Sequence, residues 1–443
     1  MSFDQGEPET DAESTTIRRI VWRVMPLLTL AYLAAYIDRV NVGFAALTAN
    51  KDLGLSPVQY GFGAGLFFLG YCAAQVPSNL LLLRVGARRW FARILISMGV
   101  IAAATSLVVG PLSFYGARLA LGVAEAGLVP GVVYYMRIWF PKRWRARYIA
   151  VFLLAIPLSS FIGSPLSALI LRMHGVLGLK GWQWLYIAEG IPCVVFGLLI
   201  LRYLSETPKA ASWLSPTQRR WLEGELERER IEHVEQGPAP STLRLLFDPR
   251  VISYGVAFFG VTAGSYGLAL WLPQMVRGFG LTIGQTGIVT AIPFGIGCVA
   301  TVLWARRSDR KGERVWHTAL PAFLAAAGLA VCVAITSPLL TMIALSVAAI
   351  GIFGIRGPYF ALVAEEFSEK TAAPGIAWVD VFAASAGFLG PFIVGVVKSL
   401  TGKFALALLV LALFCFVGGV VVLIRAAFAN RARALAPVRL REE

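Results

Sequence analysis

Charged residues are scarce in this sequence. Only 15% of its 443 residues are Asp, Glu, Lys or Arg, against about 25% in a typical soluble domain, whereas 57% are hydrophobic. This composition excludes a disordered chain and argues against a soluble globular protein, because so much apolar surface does not fit into one core. A bilayer-crossing helix needs about 20 apolar residues, so the composition predicts a membrane protein with roughly a dozen spans.

Residues that bind metals or form disulfides are also few. The three histidines fall in loops or at the ends of apolar segments, where we expect them to be solvated. The five cysteines lie inside apolar segments without metal-site spacing, which predicts buried, reduced thiols. Because no nucleophile–base order and no phosphate-binding glycine loop is visible either, we expect no enzyme and no cofactor or metal.

Twelve apolar segments alternate with polar connections, and the longest connection, 204–249, separates the sixth from the seventh. We therefore predict an all-helical integral membrane protein with two six-helix bundles, 24–203 and 250–427. The connection 204–249 is a cytoplasmic linker, and 1–23 and 428–443 are cytoplasmic tails. The predicted spans are 24–48, 60–83, 94–110, 114–137, 148–171, 184–203, 250–275, 284–304, 317–336, 339–362, 374–398 and 404–427.

Basic residues are concentrated in the connections that follow even-numbered spans. Lys and Arg outnumber Asp and Glu by 40 to 25, and the loops 84–93, 137–147 and 305–314 are rich in them. Cytoplasmic loops carry such an excess, so both termini are expected in the cytoplasm. The net charge of +15 is then a signal of topology, and we expect no nucleic-acid partner.

A basic turn recurs at equivalent places in the two halves. Arg84-Val85-Gly86-Ala87-Arg88-Arg89 follows span two, and Asp309-Arg310-Lys311-Gly312-Glu313-Arg314 follows span eight. Both resemble the loop signature of the major facilitator superfamily, although Leu83 stands where the first copy should have Asp. The repeat supports the division into six plus six spans.

Span one contains two adjacent charges, Asp38 and Arg39, inside an apolar stretch. A charge in the middle of a span costs about 2.5–3.5 kcal/mol on insertion scales, so these side chains must face a cavity or a partner. The alternative is an interfacial pair near the outer end of the helix.

Span four carries Arg118 and Glu125, which are seven residues apart and therefore share one helix face. Gly122 between them leaves room for a neighbouring helix or a ligand, and Pro130 is expected to bend the span. Together with Asp38 and Arg39, this pattern predicts a charge relay, with a structural ion pair as the alternative.

Further polar side chains interrupt spans two, seven, ten and eleven. Tyr71, Gln75 and Asn79 form a stripe on span two, which is typical of a cavity wall or of hydrogen-bonded helix packing. Tyr266 in span seven is a second candidate for the cavity wall.

Arg356 in span ten and Asp380 in span eleven have opposite charges in neighbouring spans. They are interpreted either as a structural pair or as a ligand site. Arginine binds carboxylates through two parallel hydrogen bonds, so Arg356 in the second role would suit an anionic substrate.

Several motifs of the first half resemble those of one family, the anion:cation symporters of the major facilitator superfamily. The resemblance is densest in the first half and extends to bacterial permeases assigned to tartrate, phthalate and 4-hydroxyphenylacetate. The motifs are Tyr36-Ile37-Asp38-Arg39-Val40-Asn41, Pro77-Ser78-Asn79-Leu80, Gly86-Ala87-Arg88-Arg89-Trp90, Arg118-x-x-x-Gly122-x-x-Glu125-Ala126-x-x-x-Pro130, Gly181-Trp182-Gln183-Trp184 and Glu189-Gly190.

The resemblance implies an organic-anion carrier of the bacterial cytoplasmic membrane, driven in many relatives by protons. Asp38 and Glu125 match the family's proton-carrying acids, and Arg118 matches the arginine that links them. Arg39 and Tyr71 match positions near the substrate. The implied partners are a small organic carboxylate, protons and lipid, and we expect a monomer.

The second half departs from the family pattern at span eleven, where Asp380 and Ala384 stand at two amide positions. With Trp378, Phe382 and Tyr359 nearby, this favours an aromatic or small carboxylate over a sugar acid. We therefore predict proton-coupled uptake of such an anion by alternating access. Asp38, Glu125 and Arg118 would couple the protons. The predicted substrate-binding residues are Arg39, Tyr71, Gln75, Arg118, Tyr266, Arg356, Tyr359, Trp378 and Asp380. An antiporter that exports an organic anion or drug is the alternative, and a receptor that binds without transport is a further one.

Overall fold

The computed structural model describes residues 11–235, 247–367 and 369–435. Within these ranges the chain forms seventeen α-helices and no strand. They are α1 (Asp11–Val40), α2 (Val42–Asp52), α3 (Pro57–Val85), α4 (Ala87–Ala104), α5 (Pro111–Glu125), α6 (Leu128–Trp139), α7 (Lys142–Leu153), α8 (Ala155–Leu171), α9 (Gly181–Tyr203), α10 (Pro216–Glu235), α11 (Pro249–Arg277), α12 (Ile283–Lys311), α13 (Val315–Val331), α14 (Pro338–Gly354), α15 (Arg356–Glu366), α16 (Glu369–Thr401) and α17 (Phe404–Leu435).

The prediction of an all-helical twelve-span protein is confirmed. Eleven segments of the described chain are long and apolar enough to cross a membrane, and α13 is a shorter apolar helix of 17 residues. Four spans consist of two helices in series: α1 with α2, α5 with α6, α7 with α8, and α14 with α15. The remaining helix, α10, lies in the connection between the two bundles.

The ends of the chain are more helical than predicted. Helix α1 begins at Asp11, inside the predicted tail 1–23, because Thr16, Ile17 and Ile20 are buried there. Helix α17 continues to Leu435, beyond the predicted end at 427. The rest of both predicted tails, 1–10 and 436–443, lies outside the described residues.

Three of the four helix breaks follow one rule. A proline has no N–H to donate to the carbonyl four residues earlier, and the breaks at Leu154 and Ile355 fall next to the carbonyls that Pro157 and Pro358 leave free. Pro130 acts in the same way on the carbonyl of Ala126. The predicted bend in span four therefore lies a turn before Pro130, at Ala126–Gly127, where Gly127 adopts a φ of 88°.

The two bundles meet closely in the half of the molecule opposite Asp11 and Leu435, the first and last described residues. The Tyr60 hydroxyl donates to the Leu270 carbonyl at 2.8 Å. A Cβ on Gly61 would lie 2.6 Å from the Pro391 oxygen, and one on Gly287 would lie 2.4 Å from the Ala168 Cβ. Contacts of this kind join α3 to α16, α8 to α12 and α2 to α11. They close one end of the seam between the bundles.

Helix α10 packs on the N-terminal bundle. The Glu229 carboxylate accepts from the backbone N–H of Lys142 and from the Arg145 guanidinium, the latter at 2.8 Å. Arg19 of α1 donates to Gln218 at 3.2 Å. The linker 204–249 therefore contains a helix docked on spans one and five, and residues 236–246 of it lie outside the described residues.

The two basic turns obtain their acidic partners in different ways. In the second half, Arg314 donates to Asp309 of the signature at 2.7 Å. In the first half, which lacks that Asp, the Glu206 carboxylate accepts from the backbone N–H groups of Ala87 and Arg88 at the start of α4. A carboxylate at a helix N-terminus is stabilised by the helix dipole and the free N–H groups.

One histidine prediction was wrong. His317 is buried, 7% exposed, and its Nδ1 lies 2.6 Å from Glu313 Oε2. The backbone N–H groups of Trp316 and His317 also donate to Glu313. Burial raises the pKa of Glu313, but these hydrogen bonds outweigh it, so the pKa is lowered overall. His233 has no described side chain.

Candidate functional site

A buried ion pair joins spans one and four at the seam between the bundles. Arg39 donates to Glu125 Oε1 through Nε at 3.1 Å and also through Nη2. Its third nitrogen, Nη1, donates to the Tyr266 hydroxyl of span seven at 3.2 Å. Arg39 is 5% exposed and Glu125 is fully buried. The arginine thus connects an acid of the first bundle to a hydroxyl of the second.

Aromatic rings surround the Arg39 guanidinium. Its carbon lies 4.9 Å, 5.3 Å and 5.4 Å from the ring centroids of Tyr36, Phe67 and Tyr71. Such rings attract a cation through their negative faces and keep water away from it. A charge-assisted hydrogen bond is stronger in these dry surroundings, so Arg39 needs an anion as its partner here.

Glu125 is positioned by the break in span four. It is the last residue of α5, and the Ala126 carbonyl exposed by the break accepts from Ser78 Oγ at 2.5 Å. Trp90 Nε1 donates to the same Ser78 hydroxyl at 3.0 Å. Three of the motifs that resemble those of the anion:cation symporters therefore meet at this point and hold Glu125 in place. They are Pro77 to Leu80, Gly86 to Trp90 and Arg118 to Pro130.

The close crossing of spans two and four explains Gly122. A Cβ there would lie 1.9 Å from the Phe67 carbonyl oxygen, so any larger residue would push the two helices apart. This confirms that Gly122 makes room for a neighbouring helix. The crossing also places Phe67 between Arg39 and Arg118, since its ring lies 5.1 Å from the Arg118 guanidinium carbon.

Arg118 is buried without a hydrogen-bond partner for any of its three guanidinium nitrogens, among the described residues. Asp38 and Glu125 both act on it through space, yet it forms no ion pair with either. The predicted linking role is therefore not a direct bridge in this conformation, where Arg39 holds Glu125. Arg118 is a cation that is free to accept an anionic partner.

Asp38 lies in the interior rather than at the membrane interface, since it is fully buried. Its Oδ1 accepts from Asn41 Nδ2 at 3.1 Å, and its Oδ2 has no partner among the described groups. The alternative of an interfacial Asp38–Arg39 pair is therefore wrong. The two neighbours point to different partners, Asp38 to Asn41 and Arg39 to Glu125.

Sequence reasoning missed one buried acid, Glu189 of span six. It is 3% exposed, and its Oε1 accepts from Ser167 Oγ at 2.7 Å. Asp38 and Asn41 are also close enough to act on it. The signal was present, because Glu189-Gly190 is one of the resembling motifs and an acid within a predicted span is functional by default.

Arg356 and Asp380 do not form the predicted pair. Arg356 donates to Ser265 Oγ at 3.4 Å and lies 5.9 Å and 5.8 Å from the rings of Phe258 and Phe353. It acts on Asp380 through space only, and Gln75 of span two lies beside that carboxyl. The structural-pair interpretation is therefore wrong for this conformation.

The partly exposed residues define the open part of the seam. Tyr266, Arg356, Asp380 and Trp378 are neither fully buried nor fully exposed. Tyr71 and Gln75 are each 8% exposed. These side chains come from both bundles, so a solute between the bundles would meet Arg356 and Asp380 before it met the deeper Arg39.

Tyr359 does not belong to this surface. It is fully buried, its ring stacks on Phe258 at 4.4 Å, and its hydroxyl donates to the Tyr254 carbonyl at 2.7 Å. The hydroxyl is therefore already used in packing α15 against α11, and the prediction that it binds substrate disagrees with this position.

The sequence matches a family model described as Major Facilitator Superfamily over residues 28–391. The chain belongs to this superfamily of secondary transporters. It is 43% identical to a "Putative tartrate transporter" of Agrobacterium vitis, over 94% of this chain and 95% of the relative. It is 38% identical to a "Quinolone resistance transporter" of Acinetobacter baumannii, over 92% and 94% of the two chains.

Solved structures of transporters share the fold. The inward-open xylose transporter XylE of Escherichia coli matches with a TM-score of 0.73 at 15% identity, over 91% of this chain and 96% of that chain. An inward-facing, occupied bacterial homologue of the lysosomal transporter Spinster matches with a TM-score of 0.70 at 16% identity, over 96% and 98%. The carrier therefore has the major facilitator architecture.

Proposed function

We propose that this carrier takes up an organic carboxylate together with protons across the bacterial cytoplasmic membrane. The observation that carries the proposal is the buried Arg39–Glu125 pair, which also reaches Tyr266 of the opposite bundle. An arginine held by an internal carboxylate has room for a substrate carboxylate only when the internal one is neutralised. Protonation of Glu125 and binding of the anion are therefore linked.

The cycle follows from this exchange of partners. When the seam opens to the outside, Glu125 takes up a proton and releases Arg39, which then binds the substrate carboxylate. The loaded bundles close outside and open inside, as alternating access requires. In the cytoplasm the proton leaves, Glu125 binds Arg39 again, and the anion is expelled.

With both termini in the cytoplasm, the closed half of the seam faces outside and this conformation is inward-facing. It corresponds to the end of the cycle just described, because Glu125 is bound to Arg39. The membrane potential contributes about 2.3 kcal/mol per net charge per 100 mV. It drives uptake only if more protons than substrate charges enter.

The substrate class rests on the exposed residues and on the relatives. Arg356 offers a second cation for a carboxylate, and Trp378 offers an apolar ring near Asp380. Small mono- or dicarboxylates fit this combination, and the relative named for tartrate belongs to that class. An aromatic carboxylate is the other member of the class that we propose.

Purified carrier in proteoliposomes tests this function with tartrate and benzoate as probes. An inward proton gradient should drive accumulation of at least one of them. Glu125→Gln should abolish accumulation but preserve exchange of labelled for unlabelled solute, since Gln leaves Arg39 free permanently. The matched control is Glu225→Gln on α10, whose partly exposed carboxylate accepts only from Arg228 of the same helix among the hydrogen bonds described. Proton-driven accumulation in Glu125→Gln would remove this acid from the mechanism.

Export by proton antiport is the second candidate, because one relative is named for quinolone resistance. The same vesicles separate the two candidates. Efflux of a quinolone in exchange for protons that enter, with no accumulation of tartrate or benzoate, would favour the exporter.

A further inference from the structure

Four polar side chains form a chain across spans five, six and one. Ser167 Oγ donates to Glu189 Oε1 at 2.7 Å, and Asn41 Nδ2 donates to Asp38 Oδ1 at 3.1 Å. Asn41 also lies beside Glu189. The Asn41 amide is thus placed between two carboxyl groups that are both buried, at 0% and 3% exposure.

Three buried acceptor atoms in this chain lack a partner among the described groups. They are Asp38 Oδ2, Asn41 Oδ1 and Glu189 Oε2. A buried acceptor without a hydrogen-bond partner destabilises the fold. Asn41 Oδ1 and Glu189 Oε2 can satisfy each other only when a proton lies between them, and Glu189 is the group that can carry it.

The charges around the chain decide which acid is neutral. The Arg118 guanidinium acts on Asp38 and has no hydrogen-bond partner of its own among the described groups. The groups that act on Glu189 are Ser167, Asp38 and Asn41, none of which is a cation. An isolated carboxylate in a dry interior is strongly disfavoured unless it is paired. Of the two acids, Asp38 is therefore the better placed to hold the negative charge and Glu189 to hold the proton.

The other titratable groups facing this chain do not change the balance. Tyr186 and Cys193 lie on α9 with Glu189, and the Cys193 thiol donates to the Glu189 carbonyl at 3.8 Å. Glu125 of α5 is held by Arg39. Helix α4 crosses α9 through Gly99 and Gly190, without a charged group at that point.

We propose that Glu189 and Asp38 share one proton through the Asn41 amide, and that the proton is on Glu189 in this conformation. Glu189 Oε2–H donates to Asn41 Oδ1, which turns the amide so that Nδ2 donates to Asp38. When the proton moves to Asp38, the amide turns over, accepts from Asp38 and donates to the Glu189 carboxylate. The position of the proton and the orientation of the Asn41 amide then define two states.

The position of the chain gives the proton a route. A narrow cavity between the bundles is lined by Asn41 and Ser167 on one side and by Ala269 and Phe294 on the other. It lies on the closed half of the seam, so separation of α8 from α12 would open it to the side opposite the termini. That the shared proton takes part in uptake rests on the proposed function; its location on Glu189 does not.

Infrared spectroscopy of the full chain without substrate tests the location. At neutral pH we expect the carbonyl stretch of a protonated carboxylic acid, and Glu189→Gln should remove it. Asp38→Asn should leave that band in place, as should the matched control Glu225→Gln. A band that survives in Glu189→Gln, or that disappears in Asp38→Asn alone, would overturn the proposal.

Two further variants test the proposal if Glu189→Gln does not fold. Ser167→Ala removes the donor to Glu189 Oε1 and should shift the band without removing it, whereas Asn41→Ala should shift it further. An unshifted band in both variants would also contradict the shared proton. In proteoliposomes loaded with tartrate, Asn41→Ala should alter the pH dependence of proton-driven transport while exchange continues. If no probe is transported by the unmodified carrier, the proposed function fails but the infrared result still stands.

Discussion

The two bundles break the fourth span of each half at corresponding places but put opposite charges there. In the first bundle the break follows Glu125, and in the second it precedes Arg356. Around the first break the described residues include five buried ionisable groups: Asp38, Arg39, Arg118, Glu125 and Glu189. Arg356 and Asp380 beside the second break are partly exposed.

This difference indicates that the two groups of charged residues have different roles. Under the proposed function, the buried ionisable groups exchange partners within the protein, as proton coupling requires. The partly exposed groups then meet the solute first and influence which solute enters. Tyr266 joins the two, because it belongs to the second bundle and binds Arg39 of the first.

The largest expected effect comes from removing the cation of the buried pair. Arg39→Ala leaves Glu125 buried without a partner, and breaking such a pair costs about 3–5 kcal/mol. Arg118→Ala removes a cation that has no hydrogen bond, so its loss of stability should be smaller. Thermal unfolding of the two variants in detergent makes the comparison. Equal losses would mean that the buried pair gives the first bundle no special stability.

The next effect concerns the second bundle. Because Arg356 and Asp380 form no ion pair here and act on each other only through space, the losses of substrate affinity in Arg356→Gln and Asp380→Asn should be nearly additive in the double variant. Additivity holds within about 0.3–0.5 kcal/mol for independent sites. Binding of tartrate or benzoate to the four proteins measures it. A double variant that binds better than either single one would show that the charges pair during the cycle.

A smaller effect separates two tyrosines of the second bundle. Tyr266→Phe removes the hydroxyl that binds Arg39 and should change transport with little effect on stability. Tyr359→Phe removes a buried backbone hydrogen bond, worth about 0.5–1.5 kcal/mol, and should change stability with little effect on transport. Paired measurements of uptake and unfolding check both. Reversed results would place Tyr359 at the solute and restore the prediction made from sequence.

Much of the fold could be predicted because lipid allows few alternatives. The length of the apolar segments predicted the spans. The charged residues within them, Asp38, Arg39, Arg118 and Glu125, were identified because a charge in a span costs free energy that only a partner or a function offsets. The sequence could not show which of these charged side chains bind each other. The neighbours Asp38 and Arg39 take different partners, Asn41 of the same span and Glu125 of span four, and only the fold shows which acid Arg39 reaches.

The smallest expected effect lies in the basic turn of the second half. The pKa of Glu313 is lowered although burial alone raises it, because His317 and two backbone N–H groups bind the carboxylate. Its stabilisation is therefore fully present above the ordinary glutamate pKa, about 4.3, and is lost as the pH falls through the lowered value. The side chain is 36% exposed, so solvent screening keeps the contribution below about 1 kcal/mol. Unfolding measured from neutral to acidic pH should therefore show a slightly steeper acid-side loss in the unmodified carrier than in Glu313→Gln. Identical slopes would mean that the charge of Glu313 adds no stability beyond the hydrogen bonds that its side chain accepts from the backbone.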